Sequence, residues 1–158
     1  MPRKKKKVLK RVISPDLLYD SVIIHKFINV LMERGKKNRA RKIVYGAMDI
    51  LAKKVGKEEV ADFFMKAFEK VVPVVGVRSR RVGGSTYQVP VRFMRERGCA
   101  LAMRWIKQAA QQRSGKTMEE RLAYEFMDIS ADKGGALKKR SDVHRMAEAN
   151  RAYSHFGW

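Results

Sequence analysis

The 158-residue chain carries 36 Lys+Arg against 16 Asp+Glu, a formal charge of +20, and is long enough for one domain with a real core but not for two comfortable ones. That excess points to a polyanionic partner, nucleic acid first and a membrane surface second, yet no stretch approaches the ~20 apolar residues that cross a bilayer and no apolar run follows the N-terminal charges as a secretory signal requires. The single Cys99 excludes an internal disulfide and fits a reducing cytoplasm.

Arg3, Lys4, Lys5, Lys6, Lys7, Lys10 and Arg11 all precede the first acid, Asp16. Residues 1–12 are therefore expected to form a flexible basic arm ahead of one domain over 13–158. After Ser14-Pro15, Asp20 reads as the N-cap of a first helix with Ile23, Ile24, Phe27, Ile28 and Leu31 at spacings of three and four, ended by Gly35. A second basic block, Arg34, Lys36, Lys37, Arg39, Arg41 and Lys42, occupies the next corner and runs into a second helix. Ile43, Val44, Ala47, Met48, Ile50 and Leu51 form its buried stripe, and Gly56 closes it. A third helix is expected from about Glu58, with Val60, Phe63, Phe64, Ala67 and Phe68 inward and Glu58, Glu59 and Asp62 in the first turn, where the helix dipole favours acids.

From Val72 to Val91 the pattern changes to a β-hairpin. Val72, Val74, Val75 and Val77 supply one strand and Thr86, Tyr87 and Val89 the other, with Gly83-Gly84 as the turn and Pro73 and Pro90 at the ends. No acid occurs from Lys70 to Arg95, while Arg78, Arg80 and Arg81 crowd one strand. A lone two-stranded ribbon is marginal in water, so an arginine-rich one is expected to order against a polyanion.

Phe93 to Gln112 reads as a fourth helix. Leu101, Met103, Trp105, Ile106 and Ala109 face inward, and Arg97, Arg104, Lys107, Gln108 and Gln111 form a polar, basic side. Trp105 falls on the apolar stripe, which favours core packing over stacking on a base. Thr117-x-x-Glu120 has the form of a capping box and opens a fifth helix with Leu122, Ala123, Phe126 and Met127 inward. Gly134-Gly135 breaks the chain before a sixth segment, about Ala136 to Phe156, which begins with Lys138, Lys139 and Arg140. The fold expected is mainly α: six helices, with a protruding two-stranded antiparallel hairpin between the third and fourth.

Nothing in the sequence supports catalysis. Ser114-Gly115-Lys116-Thr117 resembles the end of a phosphate-binding loop, but the glycine required five residues before Gly115 is Ala110 and no strand precedes it. His144 and Glu148 share a helix face without a second histidine, and Cys99 lacks a visible base. No enzyme activity, cofactor or metal is expected.

Four segments in order carry a resemblance: FINVLMERGKKNRARKIVYGA from Phe27, VRSRRVGGSTYQVPV from Val77, ALAMRW from Ala100, and GGALKKRSDVHRMAEANRAYSHFGW at the C-terminus. Together they resemble bacterial ribosomal protein S seven over nearly the whole chain, with Arg92 and Arg95 standing where an acid and a proline are expected. The resemblance implies a monomeric constituent of the small ribosomal subunit, cytoplasmic and away from membranes, that binds ribosomal RNA directly and nucleates assembly of the head. It also implies proximity to exit-site tRNA and the mRNA path, with proteins of the S-nine and S-eleven families as neighbours. Combined with the charge pattern, it assigns phosphate contacts to Arg3, Lys4, Lys5, Lys6, Lys7, Lys36, Lys37, Arg41, Arg78, Arg80, Arg81, Lys138, Lys139 and Arg140. Gly83 and Gly84 would allow close backbone approach, Tyr87 and Gln88 would meet a base or sugar, and Arg104 and Arg113 would extend the footprint. The alternative is an architectural DNA-binding protein with a basic β-ribbon arm.

Overall fold

Three phenylalanines fix the centre of the fold. In the computed structural model, which describes residues 13–156, Phe27, Phe64 and Phe126 are at most 1% exposed. Their ring centroids lie 4.6 Å apart for Phe64 and Phe126, 5.7 Å for Phe27 and Phe64, and 6.0 Å for Phe27 and Phe126. They come from α1 (Val22–Leu31), α3 (Val60–Val71) and α5 (Met118–Ser130), whose apolar residues recur at three and four and so converge on one point. α2 (Lys37–Val55) adds Val44, Met48 and Leu51, and α4 (Arg95–Gln112) adds Met103, Trp105 and Ile106. Trp105 is core, as its stripe position requires. The expected mainly helical fold is observed, with β1 (Val75–Val82) and β2 (Ser85–Arg92) between α3 and α4 and with α6 (Gly135–Ala149) after α5. Among the described residues, no helix is long and apolar enough to cross a membrane. The expected arm, residues 1–12, lies outside the described residues.

Several helix ends differ from the sequence reading for identifiable reasons. Ser21, not Asp20, is the N-cap of α1: its backbone is extended and its Oγ accepts from the Ile24 N–H at 3.5 Å, while Asp20 sits at φ 45°. α1 stops at Leu31, ahead of a turn through Arg34 and Gly35. α3 begins at Val60, so Glu58 and Glu59 lie before it and only Asp62 is in its first turn. α4 begins at Arg95 because Phe93 is held by the ribbon, its N–H donating to the Val74 carbonyl at 2.9 Å. The sixth helix stops at Ala149, where the Asn150 side chain donates to the Met146 carbonyl at 2.8 Å, and Arg151–Phe156 continue as a 3₁₀ helix. Thr117 caps α5 as expected, its Oγ1 accepting from the Glu120 N–H at 3.3 Å, which is the N-cap half of the capping box.

The ribbon turns at Gly83-Gly84, whose φ values of 57° and 90° suit the two-residue turns that match strand twist. Pro90 lies inside β2 opposite Val77, not at its end. Counting back from the turn pair Val82–Ser85, hydrogen-bonded and open pairs alternate, and Val77–Pro90 falls on an open pair where no N–H is needed. Nor is the ribbon a lone hairpin. A Cβ on Gly76 would stand 2.3 Å from the Phe93 ring and 3.3 Å from Val143 of α6, so only glycine allows this docking. Val89 is fully buried, and the Val74 N–H donates to His144 Nε2 of α6 at 3.3 Å.

Candidate nucleic-acid interface

The second basic block sits at the corner between α1 and α2. Lys36 is exposed at the N-cap of α2, and Lys37 lies with its Nζ 2.7 Å from His25 Nε2, which ties the corner to α1. Arg41, one turn into α2, is half-buried, and its Nε is buried without a hydrogen-bond partner among the described residues. Beside this corner is a concavity of about 290 Å³ lined by Lys36 and by Lys107 and Gln111 of α4.

The ribbon presents the third group. Arg78 and Arg81 are exposed, Arg80 is half-buried, and Gly83 and Gly84 stand open at the tip. A second concavity, about 690 Å³, is lined by Arg78 and Arg80 of β1, Arg92 of β2, and Arg97 of α4. Arg97 lies over the Phe93 ring at 5.7 Å, a cation–π contact that steadies it. Tyr87 is occupied within the protein, with ring centroids 5.1 Å from Tyr153 and 5.5 Å from Phe156, and Gln88 Nε2 donates to Ser79 Oγ at 3.0 Å. The 3₁₀ segment thereby braces the outer half of the ribbon.

α4 joins the two concavities. Arg97, Arg104 and Gln111 recur at intervals of seven on its exposed side; Arg97 lines the ribbon concavity, and Gln111 with Lys107 lines the corner one. Arg104 is exposed between them, its Nε donating to the Ala100 carbonyl at 3.2 Å. This polar stripe is the part of α4 that the 3.6-residue spacing had outlined.

α6 opens with exposed Lys138 and Lys139, whereas Arg140 turns inward and donates to the Lys70 carbonyl at 2.8 Å. Four residues on, His144 accepts from Val74, so one face of α6 grips both sides of the junction between α3 and the ribbon. Burial, then the nearby Arg140 charge, lowers the His144 pKa below its ordinary value, which keeps the imidazole neutral and able to accept. The start of α6 is held by Glu125, 1% exposed, which accepts from the Ala136 N–H at 3.0 Å and from Arg113 Nε at 2.6 Å. Arg113 also pairs with Asp128, so its guanidinium is engaged inside the fold. Sequence spacing gives no hint of Glu125. The side chains of Lys36, Arg78, Arg81, Lys138 and Lys139 have no hydrogen-bond or ion-pair partner among the described residues.

Among the described residues, no group of three or more His, Cys, Asp or Glu could hold a metal ion. The arrangement is a helical body with cations at three separate places, suited to meeting phosphates. Comparison with known proteins agrees. The family described as "Ribosomal protein S7p/S5e" matches residues 2–151. The chain is 53% identical to the small ribosomal subunit protein uS7 of Syntrophobacter fumaroxidans over 158 residues, all of both chains. It is 52% identical to the protein of the same name from Desulfotalea psychrophila over 155 residues, 98% of this chain and 99% of the other. Against that of Nitrosomonas europaea the identity is 53% over 156 residues, 99% of each. With a family match spanning nearly its whole length and relatives this similar from end to end, the chain belongs to the ribosomal protein S7p/S5e family.

Proposed function

We propose that the chain is a structural constituent of the bacterial small ribosomal subunit, cytoplasmic and not an enzyme, that binds ribosomal RNA directly and nucleates folding of the head. The observation that carries this reading is the placement of unpartnered cations at three places on one helix-braced body, within a chain of this family. A-form RNA hides its base edges in a deep, narrow groove, so a rigid protein recognises it by phosphate geometry while loops and ribbons reach junctions. Lys36, Lys37, Arg41, Arg78, Arg80, Arg81, Lys138 and Lys139 supply the phosphate contacts, with Arg104 between the corner and the ribbon. Arg3 through Lys7 add further contacts as an arm to the single domain over 13–158. Arg113 and Arg140 serve the RNA by fixing the shape of the body. The exposed ribbon tip is the element that reaches toward exit-site tRNA and the mRNA path, and proteins of the S-nine and S-eleven families are its neighbours. The family match gives the architectural DNA-binding alternative no support.

The test is affinity of the full chain for a folded transcript of the small-subunit head RNA against duplex DNA of matched charge, across a salt series. Preference for the RNA that survives moderate salt is expected. Replacing Arg78, Arg80 and Arg81 by Ala should lower the slope of log affinity on log salt by about 2 to 3, since each neutralised phosphate adds about 0.7 to 0.9. Equal affinity for both nucleic acids at every salt concentration overturns the reading.

A further inference from the structure

The corner concavity carries more chemistry than phosphate binding requires. Its floor is apolar: Leu31 is 6% exposed and Ala40 3%, and Ile43 and Met118 are half-buried beside them. One wall is polar and built. Lys107 Nζ lies 3.0 Å from Glu33 Oε1 and donates to the Val30 carbonyl at 3.3 Å, which anchors the pair to the end of α1. The exposed Gln111 amide lines the same wall, one turn along α4 from Lys107. The Lys107 hydrogen bond and charge, with smaller help from Arg34 and Gln111, hold the Glu33 carboxyl below its ordinary pKa, so it stays ionised and accepts only. The Gln111 amide, exposed beside it, can offer its carbonyl oxygen to a donor. The wall therefore offers acceptors: the Glu33 carboxylate, whose Oε1 alone meets Lys107, and the Gln111 carbonyl oxygen. The rim is cationic, with Arg34, Lys36 and Arg39 exposed, and Arg34 is held at φ 50°. A strained backbone at a rim is where binding geometry is commonly stored.

An apolar floor, an acceptor wall and a cationic rim match one unstacked nucleotide: the base on the floor, its edge on the wall, its phosphates on the rim. At about 290 Å³ the concavity is near the lower end of ligand sites, roughly 300 Å³, which suits a single base rather than a larger group. Acceptors select for an amino-bearing edge. Cytosine N4, adenine N6 and guanine N1 and N2 donate, whereas uracil presents two carbonyls flanking one N–H. We propose that this concavity, between the α1–α2 corner and the C-terminal half of α4, captures an extruded amino-bearing base of the bound RNA, with Glu33 and Gln111 reading its edge. This deepens the ribosomal RNA reading and rests on it.

The experiment uses the full chain with ¹³C-labelled Met and Ile methyls, titrated with octacytidylate and octauridylate, two single strands of equal length and charge. Octacytidylate should bind about tenfold tighter, the discrimination that one read base edge gives, and should shift the Met118 and Ile43 methyls while leaving the core Met48 methyl in place. Gln111→Ala and Glu33→Gln, both at exposed positions, should each bring the ratio toward one without unfolding the chain. Equal affinities, with the Met118 methyl unmoved, overturn the proposal. So does an octaglutamate peptide that shifts the same methyls as strongly, because the concavity would then serve an acidic protein segment. The head-RNA transcript, measured on the same sample, separates the two readings. Transcript binding without cytosine selectivity removes the base site alone, and cytosine selectivity without transcript binding removes the ribosomal reading alone.

Discussion

Replacing Glu125 probes how α6, with its free Lys138 and Lys139, is held in place. The carboxylate is 1% exposed and joins three elements: Arg113 after α4, its own helix α5, and the Ala136 N–H in the first turn of α6. Glu125→Gln keeps the size and one acceptor but removes the charge facing Arg113, which retains Asp128 and is 26% exposed. The loss is that of a charge-assisted hydrogen bond, about 2 kcal/mol. Glu125→Ala also leaves the Ala136 N–H unsatisfied and opens a cavity, so about 4 kcal/mol is expected. For a chain of this size these correspond to melting-temperature losses of about 4–8 °C and about 8–16 °C. Thermal unfolding followed by circular dichroism, with urea titration as a second probe, reads both. The ranking matters as much as the magnitude. If Glu125→Ala unfolds within about 0.5 kcal/mol of the parent, an ordinary surface effect, the carboxylate does not hold α6 and the argument for a fixed basic start of that helix fails.

Two further outcomes test the docking of the ribbon. Gly76→Ala places a methyl 2.3 Å from the Phe93 ring, so it should cost about 1–3 kcal/mol and speed hydrogen exchange at the Val74 and Phe93 amides while the core amides of α1 and α5 stay protected; unchanged exchange at Val74 would show that the ribbon base does not depend on this contact. The pKa of His144 is lowered from 6.5, so below that pH the unfolded chain binds the proton more readily: this contribution is full above pH 6.5 and is lost as pH falls from there through the lowered folded value. His144→Gln should flatten that part of the stability–pH curve, and an identical curve for parent and variant would assign the pH dependence elsewhere.

The fold was legible where side-chain periodicity decides it. The stripes through Phe27, Phe64 and Phe126 named the faces that meet in the core, and Gly83-Gly84 placed the turn because only left-handed backbone closes a two-residue hairpin. What stayed hidden depends on contacts between residues distant in sequence. Asp16, 5% exposed, accepts from the Tyr45 hydroxyl at 2.9 Å across 29 positions, and the loop folded around it makes Ser21 rather than Asp20 the cap of α1. At the candidate interface, the charged stretches named segments that carry exposed cations, without separating cations that reach outward from cations that hold the fold. Arg78, Arg81, Lys138 and Lys139 are unpartnered among the described residues, but Arg113 is locked by Glu125 and Asp128 and Arg140 by the Lys70 carbonyl. Composition counts all of these alike, because a guanidinium's partner is set by tertiary packing.

That division of labour bears on how a small basic protein organises a large RNA. A free lysine on a flexible segment neutralises phosphate wherever it finds it, and so fixes nothing about the RNA's shape. Here the cations at the corner and on the ribbon are separated by α4, whose Arg97 and Gln111 lie 14 residues apart on one side, about 21 Å at 1.5 Å per residue. Hydrogen bonds of Glu125, His144 and Arg140 tie α6 to Arg113 at the end of α4, to the ribbon base and to the end of α3, so α6 and the ribbon do not move relative to that helix without breaking one of them. Under the proposed function, an RNA element bound at one end would therefore meet a second set of cations at a set distance and angle. The entropic cost of holding those cations in place is met when the protein folds, not when the RNA binds. Binding energy from each contact would then go into selecting one relative arrangement of RNA elements, the way in which the proposed assembly role would be carried out by geometry alone.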